Sequence, residues 1–376
     1  MKKTICPGCG SDNTELYFRI ENMPLILSAS PETLPHQNEI HPFEATLCKD
    51  CLLGFNSTPP EDSKLKFVYD NYLYISPLSG IGQSKYEGML AEITGLADSD
   101  SKIIEIGCSE GYILHRLRER GFSNLTGVEP GPQAQKAKNE LGLDIIQGYY
   151  TGSLFPSESV DSFILMHVFE HFNNPVAILK NMRHQLSPQG LIFIEIPNFD
   201  GYHHQHLFFY NTHCIRNLAS QAKLKVIHEE IDNEYAALRV VLARNDAPMP
   251  SSSPTEEKQA TLEKAARMQR DFDATVENLR KFLKNAGNVA WWGAGSTSVA
   301  YLNQIDQTVL PSLSIYDGDP QKIGMTIPGV GLKVENCLDL TGKTLGSLVI
   351  ASSFHAEIRE RLKELDTDVQ RFHILE

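Results

Sequence analysis

Residues 102–121, KIIEIGCSEGYILHRLRERG, decide the fold. Ile103, Ile104 and Ile106 form a short apolar run around Glu105, the pattern of a buried strand, and Gly107 to Gly111 form a turn. Tyr112 onward shows helical spacing and stops at Gly121. Strand, glycine turn and helix in this order open a parallel α/β sheet, and the alternation continues downstream. LTGVEP (125–130) reads as a second strand and PQAQKAKNEL (132–141) as its helix. VDSFILMHV (160–168) and GLIFIEIPN (190–198) are further strands, separated by the helix NPVAILKNMRHQL (174–186) and the stop SPQG (187–190). The expected fold class is α/β with a doubly wound sheet.

The glycine turn carries the first functional expectation. Gly107 and Gly111 let the backbone approach a ligand at a helix N-terminus, where doubly wound sheets bind nucleotides. Glu129 closes the second strand about twenty residues on, the spacing at which a carboxylate meets the hydroxyls of a ribose. These features fit NAD or S-adenosylmethionine. Ser109 stands where a dinucleotide fingerprint places its second glycine, so close pyrophosphate contact is less well served. S-adenosylmethionine has no phosphates and is the better match. Cys108, inside the loop, is expected to pack, because methyl transfer needs no protein thiol.

At 376 residues the chain is long enough for several domains. Cys6 and Cys9 in CPGC, and Cys48 and Cys51 in CKDC, are two CxxC pairs. Paired at this spacing, four thiolates complete the tetrahedral shell of a structural Zn²⁺ with no open position for catalysis. The opening MKKTICPGCG lacks an apolar signal stretch, which leads us to expect a cytoplasmic protein. The net charge of −13 opposes sequence-independent binding to nucleic acid, which depends on Lys and Arg neutralising phosphates. NDAPMPSSSPTEEKQ (245–259) marks a linker, EEKQATLEKAARMQRDFDATVENLRKFLKN (256–285) one long helix, and NVAWWGAGSTSVAYLNQI (288–305) the start of a second α/β unit. That unit has Gly293 and Gly295, Ser298 in place of a last glycine, and Asp317 at ribose-binding spacing. The expected organisation is a zinc-binding domain at 1–60, a central α/β domain at 61–245, a linker and helix at 246–285, and a Rossmann-like domain at 286–376.

EIGCSEG (105–111), GVEP (127–130) and HVFEHFNNPVAILKNMRHQLSPQGLIFIEIPN (167–198) resemble class I S-adenosylmethionine-dependent methyltransferases. With the double CxxC in front and the second α/β unit behind, nearly the whole chain is similar to the three-domain sugar C-methyltransferases of deoxysugar biosynthesis. The resemblance implies a nucleotide-linked 4-ketosugar as acceptor and a small-molecule rather than nucleic-acid or membrane partner. It also implies that Gly107, Gly111, Glu129 and His167 surround the donor, and Glu105 and Ser109, in the same strand and turn, are further candidate donor ligands. Arg239, in YAALRVVLARN (235–245), matches a family strand placed near a nucleotide diphosphate. Under this resemblance the C-terminal unit is a nucleotide-type fold that shapes the substrate site without a redox cofactor.

GYHHQHLFFYN (201–211) raises the sharpest chemical question. In the resembled family a tyrosine-histidine-glutamate-histidine run follows the PN strand, and its last histidine is thought to take the proton beside the sugar ketone. Aligned on IEIPN, His204 and His206 match, while His203 and Gln205 replace the tyrosine and the glutamate. We expect His206 to act as base, with His204 and His203 beside it, since imidazole titrates near neutrality. An enolate needs donors aimed at its oxygen, so the changes at His203 and Gln205 put carbon methylation to the test. An extended segment would put His204 and His206 on one face, whereas one helical turn would pair His203 with His206. A metal site is disfavoured, because adjacent His203 and His204 do not converge and no carboxylate stands beside them in sequence. Asn198 and Gln205 are candidate acceptor ligands, as are Tyr72 and Tyr74, whose phenols can bond a sugar oxygen while the rings cover an apolar face. Competing readings are oxygen or nitrogen methylation of a related acceptor, a zinc-ribbon RNA methyltransferase, and a non-catalytic nucleotide-binding scaffold.

Overall fold

Ile103–Ile106, buried at every position, forms β1 at the centre of a seven-stranded sheet in the computed structural model. That structure describes residues 4–71, 83–233, 235–245, 255–352 and 354–375. The other strands of the sheet are β2 Leu125–Glu129, β3 Asp144–Gln147, β4 Val160–Met166, β5 Leu186–Pro197, β6 Leu224–Asp232 and β7 Ala237–Arg244. Their order is β3-β2-β1-β4-β5-β7-β6. The first five pair in parallel, and β7 runs antiparallel to both β5 and β6. The order reverses between β1 and β4, so the loops after these two strands flank the switch-point crevice where such sheets bind ligands.

Local sequence explains the helices of this sheet. Helix α1 Ser84–Leu96 buries Met89, Leu90 and Ile93, and α2 Tyr112–Glu119 buries Tyr112, Ile113 and Leu117, all in one cluster with Ile103, Ile164 and Phe193. Helix α3 Gln133–Leu141 buries Ala134 and Ala137 against Cys108, Leu114 and Ile145. At α4 Pro175–Gln185 the Asn174 side chain accepts from the Ala177 N–H and Pro175 fills the first turn, which satisfies an end that would otherwise leave donors bare. Asn211 caps α5 Thr212–Gln221 through the Cys214 N–H. The SPQG stretch differs from its expectation as a loop. Leu186 already pairs with Val160, and the register then shifts so that Leu191 pairs with Ser162, so residues 187–190 lie inside β5 as an irregularity.

The described residues fall into two units, one drawn from Met1–Glu15, Thr46–Asn56 and Ser76–Lys264, the other from Leu16–Ala45, Ser57–Ile75 and Ala265–Glu376. Residues 1–60 thus contribute to both units. One helix covers Thr255–Lys284. The second unit holds five strands, β8 Val289–Trp292, β9 Leu313–Asp317, β10 Val334–Asn336, β11 Leu348–Ala351 and β12 Phe372–Leu375, in the order β10-β9-β8-β11-β12 and all parallel. Its glycine turn is internally satisfied. The buried Ser298 hydroxyl donates to the Gly293 carbonyl at 2.6 Å and accepts from the Trp291 indole at 2.8 Å. Asp317 accepts from the Ala294 and Asp319 N–H groups and from Lys322, so the carboxylate at the ribose-binding position is committed to this chain's own donors. Ala29 donates to the Ala294 carbonyl, which ties residues 25–30 to the same turn.

Among the described residues no helix is long and apolar enough to cross a membrane.

Candidate active site

The loop after β1 is shaped by three left-handed residues, Gly107 (φ 70°), Ser109 (φ 47°) and Gly111 (φ 78°). At Gly107 a Cβ would lie 2.4 Å from Val168, which follows β4, so the two switch-point loops touch through a contact only glycine permits. Glu129 ends β2 and accepts from the Ser109 N–H at 2.9 Å and the Gly131 N–H at 2.6 Å. Burial raises its carboxyl pKa against those two bonds. Glu105 is fully buried, and burial together with the Glu129 charge holds its carboxyl well above the usual range. One Glu105 oxygen has no hydrogen-bond partner, which suits it to a polar group of a bound nucleoside. Lys136 pairs with Glu110 at 2.7 Å and anchors the loop to α3. The Cys108 sulfur packs where a Gly127 side chain would otherwise point, and burial pushes its thiol up, away from reactivity.

The loop after β4 brings His167 to the same crevice in a left-handed conformation (φ 53°). His167 Nε2 lies 3.2 Å from Glu195 Oε1, and His167 Nδ1 lies 3.7 Å from Glu170 Oε1. Both carboxylates are 1% exposed. Burial alone would raise them, but the charge of His167, joined by His171 at Glu170 and by Arg239 at Glu195, outweighs it and holds both below the usual range. His206 approaches the same Glu170 oxygen, its Nε2 at 3.6 Å from Oε1.

Residues 203–206 form a turn closed by the His206 N–H and the His203 carbonyl at 3.1 Å. The helical-turn alternative therefore holds: the His203 and His206 rings lie together, centroids 3.7 Å apart and tilted by 42°, while His204 and Gln205 are buried away from solvent. His171 Nδ1 bonds the Gln205 carbonyl at 2.8 Å and its ring lies 5.0 Å from that of His206. Burial drives His203 down to about 3 and His206 well below the ordinary imidazole value, with the neighbouring histidines adding to both, so these rings are neutral proton acceptors. The expectation that no carboxylate stands beside the histidines is corrected: Glu170, His171 and His206 present their ligand atoms within 4.8 Å of one another. Sequence reasoning passed over Glu170 and Glu195 because neither is near the histidine run in the chain. The EH pair within HVFEH was the available signal.

Arg239 is 4% exposed and donates to Glu195 at 2.8 and 3.0 Å and to Glu230 at 2.6 Å. Gly88 of α1 lies against its guanidinium, where a Cβ would come within 2.3 Å. Its donors are thus engaged by carboxylates, and the structure places it behind Glu195 rather than open to a diphosphate. Lys85, also on α1, faces Glu195, Glu170 and Asp232, yet burial still lowers its pKa. Asn198 directly follows β5, with its N–H on the Ala236 carbonyl and its own carbonyl accepting from Lys264. The Tyr202 hydroxyl donates to the Phe199 carbonyl. Tyr72 and Tyr74 lie outside the described residues.

The two CxxC pairs come together as read. Cys6 and Cys51 sulfurs are 3.6 Å apart, as are Cys9 and Cys48, and all four lie within 4.8 Å of one another. Disulfides need about 2.05 Å, whereas tetrahedral Zn–S bonds of about 2.3 Å set sulfurs near 3.8 Å apart, so the set fits a cation and not bridges. The left-handed Gly10 (φ 77°) and Leu52 (φ 58°) close the two knuckles, with N–H groups returning to the Cys6 and Cys48 carbonyls at 2.9 Å.

A sheet of this order, with a glycine loop after its first strand and an acid closing its second, defines a class I S-adenosylmethionine-dependent methyltransferase domain. Residues 82–236 match the family described as a methyltransferase domain. The chain is 22% identical over 260 residues to the C-methyltransferase NovU of Streptomyces niveus, covering 65% of this chain and 60% of that protein. It is 29% identical over 106 residues to the tRNA U34 carboxymethyltransferase of Campylobacter hominis, covering 27% and 37% respectively. Among solved structures, the complex between the Haloferax volcanii Trm112 methyltransferase activator and the putative methyltransferase aligns with a TM-score of 0.40 at 16% identity, covering 44% of this chain and 93% of that one.

Proposed function

We propose that the chain methylates a carbon of a nucleotide-linked 4-ketosugar, with S-adenosylmethionine as donor and His206 as base. The observation that carries this reading is a neutral, buried His206 set against Glu170 at the crevice wall formed by the loop after β4. When bound, the donor supplies an electrophilic methyl group. Glu105, Ser109 and Glu129 would hold its nucleoside, with Gly107 and Gly111 leaving room for the approach. His206 would take the proton beside the ketone, the C–H electron pair would pass into the enolate, and that pair would form the new carbon–carbon bond as the donor's methyl–sulfur bond breaks, its electrons staying on the departing thioether sulfur. Lys85 supplies the cation that the enolate oxygen requires in place of a tyrosine. Arg239 and Glu195 orient His167. Asn198, Gln205, Tyr72 and Tyr74 are proposed acceptor contacts, and Cys6, Cys9, Cys48 and Cys51 a structural zinc site. Residues 286–376 are proposed to assist substrate recognition without redox chemistry, supported by the engaged Asp317.

The test is hydrogen exchange. Candidate 4-ketosugar nucleotides incubated in heavy water with S-adenosylhomocysteine are expected to exchange the hydrogen beside the ketone. No exchange with any ketosugar, alongside methyl turnover on another acceptor, moves the assignment to oxygen or nitrogen methylation, a reading favoured by the uncharged Gln205. Donor binding is checked separately. Glu129→Ala removes the acceptor of two loop N–H groups as well as the ribose ligand, and calorimetry is expected to show S-adenosylmethionine affinity falling about 10- to 100-fold. NAD is expected to give no binding heat with either protein.

A further inference from the structure

Resting on the four thiols as a metal site and on the histidine turn as the acceptor side of the crevice, we propose that Asn211 is a positioning residue. It ties the CKDC knuckle to the 203–206 turn, so that the turn keeps its place only while the four thiolates share a cation. The backbone already joins the two. The turn runs through Leu207 into the strand Phe208–Phe209, which pairs antiparallel with Gly54–Asn56, Gly54 opposite Phe209 and Phe55 opposite Phe208. Gly54–Asn56 starts two residues after the left-handed Leu52, and the Cys48 N–H returns to the Leu53 carbonyl at 3.0 Å. The Asn56 N–H donates to the Leu207 carbonyl at 3.0 Å, and the Leu207 N–H donates to the Glu170 carbonyl at 2.9 Å. The residue that follows His206 is thus held on both sides. Ahead of the turn, the Tyr202 ring lies 4.8 Å from that of Phe209. Both ends of the turn therefore rest on a strand whose partner emerges from a thiol knuckle.

Asn211 adds the side-chain link. It is 6% exposed, and its amide works in two directions: Nδ2 donates to the Leu52 carbonyl at 2.7 Å, while Oδ1 accepts from the Cys214 N–H at 2.9 Å. One side chain thus caps α5 and grips the residue that closes the knuckle. At the far end of α5, Gln221 Nε2 donates to the Gly8 carbonyl in the CPGC knuckle at 3.1 Å. Gly8 is seated tightly there, since a Cβ would lie 2.6 Å from Leu53 and 3.5 Å from Leu218 of α5. The same helix therefore touches both knuckles, one at each end. The donor loop is fastened elsewhere: the Ser109 and Gly131 N–H groups reach Glu129, and the Gly107 N–H reaches the Val128 carbonyl at 2.7 Å. Loosening the knuckles should accordingly release the histidine turn and spare the donor loop, because local stability follows the contacts that fasten each segment.

Amide hydrogen exchange read by mass spectrometry on the full chain, with zinc bound and after a chelator has removed it, tests the coupling. Without metal, peptides covering 203–211 are expected to exchange about 10-fold faster, while those covering 103–111 and 125–131 keep their rates. Unchanged rates at 203–211 overturn the proposal. Equal acceleration at 103–111 overturns it as well, because the cation would then support the whole unit rather than the turn. Asn211→Asp isolates the residue, since aspartate still caps a helix but has no amide donor for the Leu52 carbonyl. With zinc bound, this variant is expected to exchange about 10-fold faster than the wild type at 203–211 and to lose zinc to the chelator about 10-fold faster, the effect of one buried hydrogen bond. Wild-type rates in both measurements would leave Asn211 only its capping role. In turnover on a ketosugar nucleotide, kcat is expected to fall about 10-fold with the KM for S-adenosylmethionine within about twofold. A raised donor KM at unchanged kcat would count against the role. Absence of ketosugar exchange in the wild type would overturn the function proposed above, while the amide measurements need no acceptor and still decide the coupling.

Discussion

Replacing His206 by asparagine is expected to lower methyl transfer about 10²- to 10⁴-fold while leaving S-adenosylmethionine affinity within about twofold. The ring is 8% exposed and packs on His203, so asparagine preserves a buried polar side chain of smaller volume while removing the titrating nitrogen. The proposed donor ligands lie on the loop after β1 and at the end of β2, on different strands, so their geometry should survive. Stopped-time assays with labelled donor, paired with calorimetry, separate the two effects. Activity within about threefold of the wild type would remove His206 as the base. His203→Asn is the internal control, since it keeps His206 and loses only the ring packed beside it.

The second large effect concerns the thiol cluster. Cys48 is fully buried and supplies one of four converging sulfurs, and the segment Thr46–Asn56 that carries it also holds the end of the strand Phe43–Cys48, the strand Gly54–Asn56 and the buried Leu47, Leu52, Leu53 and Phe55. A metal held by the four thiolates would add to this local core, and its binding free energy would become folding free energy. Cys48→Ser is expected to cost about 3 kcal/mol, which for a unit of this size lowers Tm by roughly 6–12 °C. Zinc content should fall from one equivalent per chain to near zero. Undiminished zinc content and an unchanged melting curve would show that the four thiols do not share an ion.

The glycine-loop crevice was legible because every part of it is local. A strand, a glycine turn and an acid at the next strand end need only short-range pattern to be recognised, and the structure gives the elements within a few residues of their expected bounds. The two CxxC pairs were legible for a related reason: thiol spacing carries its own geometric meaning. The histidine run was only half legible. Its composition pointed to proton chemistry, but extended and turned backbones place different rings together, and the 203–206 turn decided in favour of His203 with His206.

Arg239 shows the limit most plainly. Its strand was placed correctly, yet β7 pairs antiparallel with β5 and so sets Arg239 directly opposite Glu195. That register converts a presumed ligand-binding cation into an internal partner of a carboxylate. Glu170 was invisible for the same reason, since it gains its meaning from a histidine that follows it by the whole length of α4 and β5. The sequence by itself determined the α/β alternation, the glycine loop after the first strand, the cysteine set and the presence of imidazoles at a strand end. Only the tertiary structure decided which carboxylate each histidine meets, because that depends on strand order and register, which bring together residues that no local periodicity relates.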